Sequence, residues 1–99
     1  MYVRIAQFEG VSNDQLEQRI AEVQRRTQAD EMGIKKHIAR SMMLVDRENG
    51  TGAGLILCET EEDLRKVDEL MNNATPPGTG GKRTSVQMYE VAVDSDNMG

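Results

Sequence analysis

Few residues in this 99-residue chain can do chemistry, and their types restrict what chemistry that would be. His37 is the single imidazole and Cys58 the single thiol. A transition-metal shell needs several ligands of matched softness, which these two cannot furnish. Haem needs one axial histidine, so His37 leaves that option open. The other reading of His37 is a residue of an edge strand, near solvent or at a dimer seam. The chain is expected to carry no intrinsic cofactor, whether metal, haem or nucleotide. The segment Thr75 to Lys82, TPPGTGGK, looks like a phosphate-cradling loop but breaks the pattern. G-x-x-x-x-G-K-[ST] would need glycine where Pro76 stands and Ser or Thr where Arg83 stands. It would also need a strand before it and a helix after it, and here that order is reversed.

The remaining candidates are charges and hydroxyls embedded in strand-like segments. Arg4, Arg40, Glu59 and Glu90 interrupt otherwise apolar runs, with Tyr2 and Tyr89 beside them. Singly, each charge reads as half of a cross-strand ion pair. As a group, Tyr2, Arg4, His37, Arg40, Tyr89 and Glu90 form a candidate ligand-binding set for a pocket between sheet and helices. A small apolar or aromatic molecule would suit such a pocket, because seven methionines supply adaptable apolar volume.

The elements that must position these groups are marked by local signals. Met1 to Glu9 alternates, with Val3, Ile5 and Gln7 on one face and Tyr2, Arg4, Ala6 and Phe8 on the other. Ser12 and Gln15 form a capping box, and Val11 can staple against Leu16. The helix they open runs from Asn13 to about Asp30 on the stripe Leu16, Ile20, Val23 and Thr27, and Gly33 stops it. Lys35 to Glu48 reads as a second strand, which places His37 in that strand. Asn49-Gly50 is the strongest short hairpin signal. A two-residue turn there sets Arg40 opposite Glu59, Met42 opposite Leu57, Leu44 opposite Leu55 and Met43 opposite Ile56. Gly54 to Cys58, GLILC, is apolar on both faces, as a central strand is. Thr60 caps a helix from Glu61 to about Asn73 with the stripe Leu64, Val67, Leu70 and Met71. Thr84 to Val93 is a fourth strand, and residues 94–99 are a polar tail beyond a single domain, 1–93.

The order is βαββαβ, which folds into an α+β, ferredoxin-like architecture: a four-stranded antiparallel sheet with two helices on one face. Two helices cover one sheet face, yet the strands carry apolar residues on both. A second copy of the same sheet is the simplest cover, so a homodimer is expected. A net charge of −5 argues against nucleic acid as a partner. No apolar run approaches the roughly 18 residues of a membrane span. The segment MYVRIAQFEG lacks a signal-peptide core, and the unpaired Cys58 suits a reducing compartment, so a cytoplasmic protein is expected.

The βαββαβ order, the segment GLILCETEEDLRKVDELM and the final strand VQMYEVAV resemble the dimeric α/β-barrel superfamily. That group includes antibiotic-biosynthesis-monooxygenase-like and stress-responsive barrel domains. The resemblance spans residues 1 to 93 and implies that two sheets pack into a dimeric barrel. It also implies one of several functions: cofactor-independent oxygenation, haem degradation or small-molecule binding. The oxygenase and haem members use an Asn, a Trp and a His or Tyr around the pocket. This chain has no Trp, and its His37 lies on the expected second strand rather than on the second helix. Two functions follow for test. One is a dimer that binds or oxidises a small, largely apolar molecule; the other is a non-catalytic dimeric interaction module. A closed, side-chain-filled interior favours the second.

Overall fold

A computed structural model describes residues 1–30, 33–73 and 82–97. Its elements are β1 (Tyr2–Glu9), α1 (Asn13–Ala29), a 3-10 turn (Lys35–His37), β2 (Arg40–Asp46), β3 (Thr51–Cys58), α2 (Glu61–Asn72) and β4 (Lys82–Glu90). The strands form one antiparallel sheet in the order β2-β3-β1-β4, the ferredoxin-like βαββαβ arrangement expected from the pattern. Of the glycine-rich segment, residues 75–81 lie outside the described residues, and Lys82 opens β4.

Both helices begin where side chains replace the missing helical acceptors. Ser12 Oγ accepts from Gln15 N at 3.3 Å and Gln15 Oε1 accepts from Ser12 N at 3.3 Å, a complete capping box. Thr60 Oγ1 accepts from Asp63 N at 3.1 Å at the start of α2. Under the first turns of α1, Phe8, Val11 and Leu16 form one buried cluster with Ile20, Met43 and Val45 packed against it. Under α2, Ile56, Cys58, Leu64 and Val67 form a second, joined by Tyr2, Ile38 and Met71. The side of β1 that carries Tyr2, Arg4 and Phe8 is therefore the helix side.

Four local features differ from the sequence reading, each for a physical reason. First, α1 ends at Ala29, next to the expected Asp30, but the stop is not Gly33: Asp30 itself takes the left-handed C-cap (φ 50) and donates its N–H to Arg26 O. Aspartate tolerates that conformation because its short polar side chain bonds locally. Asp30 Oδ1 accepts from Ile34 N (2.9 Å) and Lys35 N (3.2 Å). Second, those bonds wind Lys35–His37 into a 3-10 turn, so β2 starts at Arg40 and His37 is not a strand residue. Third, the β2–β3 connection is four residues long, Arg47 to Gly50, not two. Asp46 Oδ1 accepts from Glu48 N and Asn49 N, and Asp46 Oδ2 from Asn49 Nδ2 at 2.8 Å, which stabilises the wider turn.

This turn slides the register by two residues. Arg40 pairs with Leu57 instead of Glu59, Met42 with Leu55, Met43 with Gly54 and Leu44 with Ala53. A two-residue slip preserves which face each side chain occupies, so the two-faced apolar pattern survives the correction. Fourth, β4 ends at Glu90, opposite Tyr2, because β1 supplies no ladder beyond it; Val91 N donates to Met1 O as the last rung. Past that rung the tail is not formless. Asp94 Oδ1 accepts from Asp96 N at 3.0 Å and Ser95–Asn97 closes a 3-10 turn.

Candidate functional site

The six candidate residues divide between the two faces of the sheet. Tyr2, Arg4 and Glu90 are on the helix side, Arg4 on β1 and Glu90 opposite Tyr2 on the edge strand β4. Arg40 and Tyr89 are on the opposite, open face, at the two outer strands. His37 is in the 3-10 turn beside α2. Among the described residues, neither of the two best-formed concavities is lined by any of the six.

Arg4 occupies the middle of the helix-side interior at 2% exposure. Its Nε donates to Asp68 Oδ1 at 2.9 Å and its Nη2 to Asn72 Oδ1 at 3.4 Å, both on α2. Asn72 Oδ1 also accepts from Arg83 Nη1 at 3.3 Å. A guanidinium at this depth is tolerable only because a carboxylate faces it. Leu16, Cys58 and Val67 are fully buried on the same side of the sheet. The two best-formed concavities lie elsewhere. One, of about 410 Å³, is on the sheet near Gln7, Leu44, Gly52 and Ala53. The other, of about 330 Å³, lies between the β1–α1 turn and the hairpin.

His37 Nδ1 donates to Asp63 Oδ1 at 2.8 Å, a half-buried imidazole held by a carboxylate at the third position of α2. Such a pair can orient a general base, with Nε2 free to take a proton. The one nearby nucleophile, Cys58, is fully buried, and both burial and the charge of Asp63 push its thiol pKa up. A raised thiol pKa suppresses thiolate chemistry. Asp63 as the partner of His37 was missed in the sequence, where the acidic first turn of α2 explained it fully as a dipole-facing cap. Among the described residues, no cluster of three or more His, Cys, Asp or Glu side chains is placed to hold a metal ion.

The Asp63 pair gives a pH-dependent result. Hydrogen bonds from His37, then Thr60, hold the Asp63 carboxyl below its ordinary pKa. A depressed folded-state pKa contributes stability that is complete above the unfolded pKa, near 4, and lost as pH falls through the folded value. The urea midpoint of the wild type should therefore exceed that of Asp63→Asn at pH 6, and the gap should close on acidification below about 4. A gap that is constant down to pH 2 would contradict the pairing.

The open face is organised as a grid of side chains. Its first row is Arg40, Leu57, Val3 and Tyr89, and its second is Met42, Leu55, Ile5 and Gln87. The third is Leu44, Ala53, Gln7 and Ser85. Asp46, Thr51, Glu9 and Lys82 follow at the turn end, after a β-bulge that lets Phe8 pair with Arg83. Neither helix packs here. Leu44 is 49% and Tyr89 51% exposed, and the aliphatic residues between them are half-buried. Four strands about 4.8 Å apart and four rows about 6.7 Å apart make a face on the order of 400 Å², of which the first two rows, about half, carry most of the apolar side chains.

No protein-family model matches the chain, and no curated protein is similar to it at a significant level. Among the described residues, no helix is long and apolar enough to cross a membrane.

Proposed function

We propose that this protein works as a non-catalytic two-fold homodimer, an interaction module whose open sheet faces meet to close a dimeric α/β barrel. The observation that carries this reading is the asymmetry of the sheet. Its helix side holds two buried apolar clusters and the Arg4–Asp68 pair, while its other side presents Val3, Ile5, Met42, Leu44, Leu55 and Leu57 with neither described helix over them. Burying apolar surface contributes roughly 25 cal/mol per Å², so leaving this face in water is the costlier state. The resemblance of the chain to the dimeric α/β-barrel superfamily supports the same assembly. The competing function, in which a small apolar or aromatic molecule binds between sheet and helices, is less well supported, because Arg4 there is already engaged by Asp68 and Asn72. We place the dimer in the cytoplasm, with Cys58 as a reduced, buried thiol.

The test is a charge introduced into the middle of the open face. Leu55→Glu should leave the far-ultraviolet circular dichroism unchanged, because Leu55 is not part of either helix-side cluster. It should convert a dimer into a monomer by light scattering, since an unpaired carboxylate cannot be desolvated at an apolar interface. A variant that remains dimeric would remove the open face from the interface.

A further inference from the structure

Resting on that dimer, we infer how the two copies are oriented: the two-fold axis runs along the strands, so that Arg40 of each copy lies over Tyr89 of the other. The argument starts from how polarity is graded on the open face. Apolar residues concentrate in the first two rows, through Leu57, Val3, Met42, Leu55 and Ile5. Polar ones concentrate toward the turn end, through Gln7, Ser85, Thr51, Glu9 and Asp46. A two-fold axis crossing the strands would stack the apolar rows of one copy on the polar rows of the other. An axis along the strands, between β3 and β1, keeps every row over itself. It sets Leu57 over the partner's Val3 and Leu55 over the partner's Ile5, apolar against apolar at the centre of the seam.

That same operation exchanges the outer strands, placing β2 over the partner's β4. One pair of corners then matches in charge and the other sets a cation over an aromatic ring. Asp46 meets the partner's Lys82 at the turn end, and Arg40 meets the partner's Tyr89 at the other. Among the described residues Arg40 makes no ion pair within its own chain, and Glu59 lies one residue past the end of β3. Tyr89 is half exposed, with its hydroxyl donating to Gln87 Oε1 at 3.0 Å. A guanidinium over a tyrosine ring is favourable, more so when partly desolvated. Centrally, the dip over Ala53 faces the longer Gln7 of the partner copy. Two residues that the sequence singled out for a ligand pocket thus meet across the dimer seam.

Within one copy Arg40 and Tyr89 are on opposite edges of the sheet, three strand spacings or roughly 14 Å apart, and cannot touch. Any energetic coupling between them therefore reports a contact between copies. Dimer dissociation constants would be measured by sedimentation for Arg40→Gln, Tyr89→Leu, Tyr89→Phe and the Arg40→Gln/Tyr89→Leu double variant. With two such contacts per dimer, each of the first two changes should weaken dimerisation about tenfold. Tyr89→Phe should weaken it little, and the double variant no more than either single one. Tyr89→Lys should be weaker still, and its combination with Arg40→Glu should recover, because opposite charges then face each other. Additive single effects, or no recovery in the charge-exchanged pair, in a protein that still dimerises would overturn this orientation and leave the dimer standing. A wild type that is monomeric would overturn both.

Discussion

Gly50→Ala should cost about 3 to 5 kcal/mol of folding stability, a large fraction of the roughly 5 to 15 kcal/mol that holds a domain this size folded. Two independent effects add at this position. Gly50 has φ 65, where an alanine is strained by about 1 kcal/mol. A β-carbon there would also sit 2.3 Å from the carbonyl oxygen of Val11, with the Val11 carbonyl carbon at 3.3 Å. Backbone cannot swing aside as a side chain can, because Val11 N donates to Gly50 O at 3.1 Å and Gly50 N donates to Asp46 O at 2.9 Å. The hairpin turn is thereby clamped to the turn that starts α1. Gly10→Ala is the control, since Gly10 has φ 74 but open space where the β-carbon would go, and should cost only about 1 kcal/mol. Urea denaturation of both variants checks the result. Equal losses at the two positions would show that the turns are not in contact.

Asp68→Ala should be the more damaging half of the buried ion pair, at about 3 kcal/mol. Removing the carboxylate leaves Arg4 at 2% exposure with only Asn72 to satisfy it. The figure is set at the lower end of the range for buried pairs because Asp68 is itself 23% exposed. Arg4→Met should change stability by no more than about 1 kcal/mol, since it fills a similar volume, removes a desolvated charge and leaves Asp68 able to turn toward water. Measured urea midpoints in the opposite order would mean that Arg4 is paired elsewhere.

The sequence carried the architecture because its signals were local. Ser12, Gln15 and Thr60 cap helices with contacts three residues away, and the apolar stripes of α1 and α2 need only helical spacing to be recognised. The alternation of β1 sorted Tyr2, Arg4 and Phe8 from Val3 and Ile5 correctly for the same reason. What failed were decisions settled between distant groups or by a competing side chain. Asn49-Gly50 promised a two-residue turn, but the Asp46 carboxylate offered three donors in the turn a better acceptor and lengthened it. His37 read as a strand residue until Asp30 wound the preceding segment and Asp63 drew the imidazole to α2. Arg4 read as a pocket residue because nothing near it in sequence announces Asp68 and Asn72, which are 64 and 68 positions away. The grouping of Arg40 with Tyr89 had a different status, since these residues are separated in one copy and are brought together only by the proposed second one.

Sedimentation equilibrium of the wild-type protein at micromolar concentration tests the central proposal most directly. The uncovered sheet face predicts a single species of about twice the 11.0 kDa chain mass. A stable species of one chain mass across that concentration range, soluble and cooperatively folded, would contradict it.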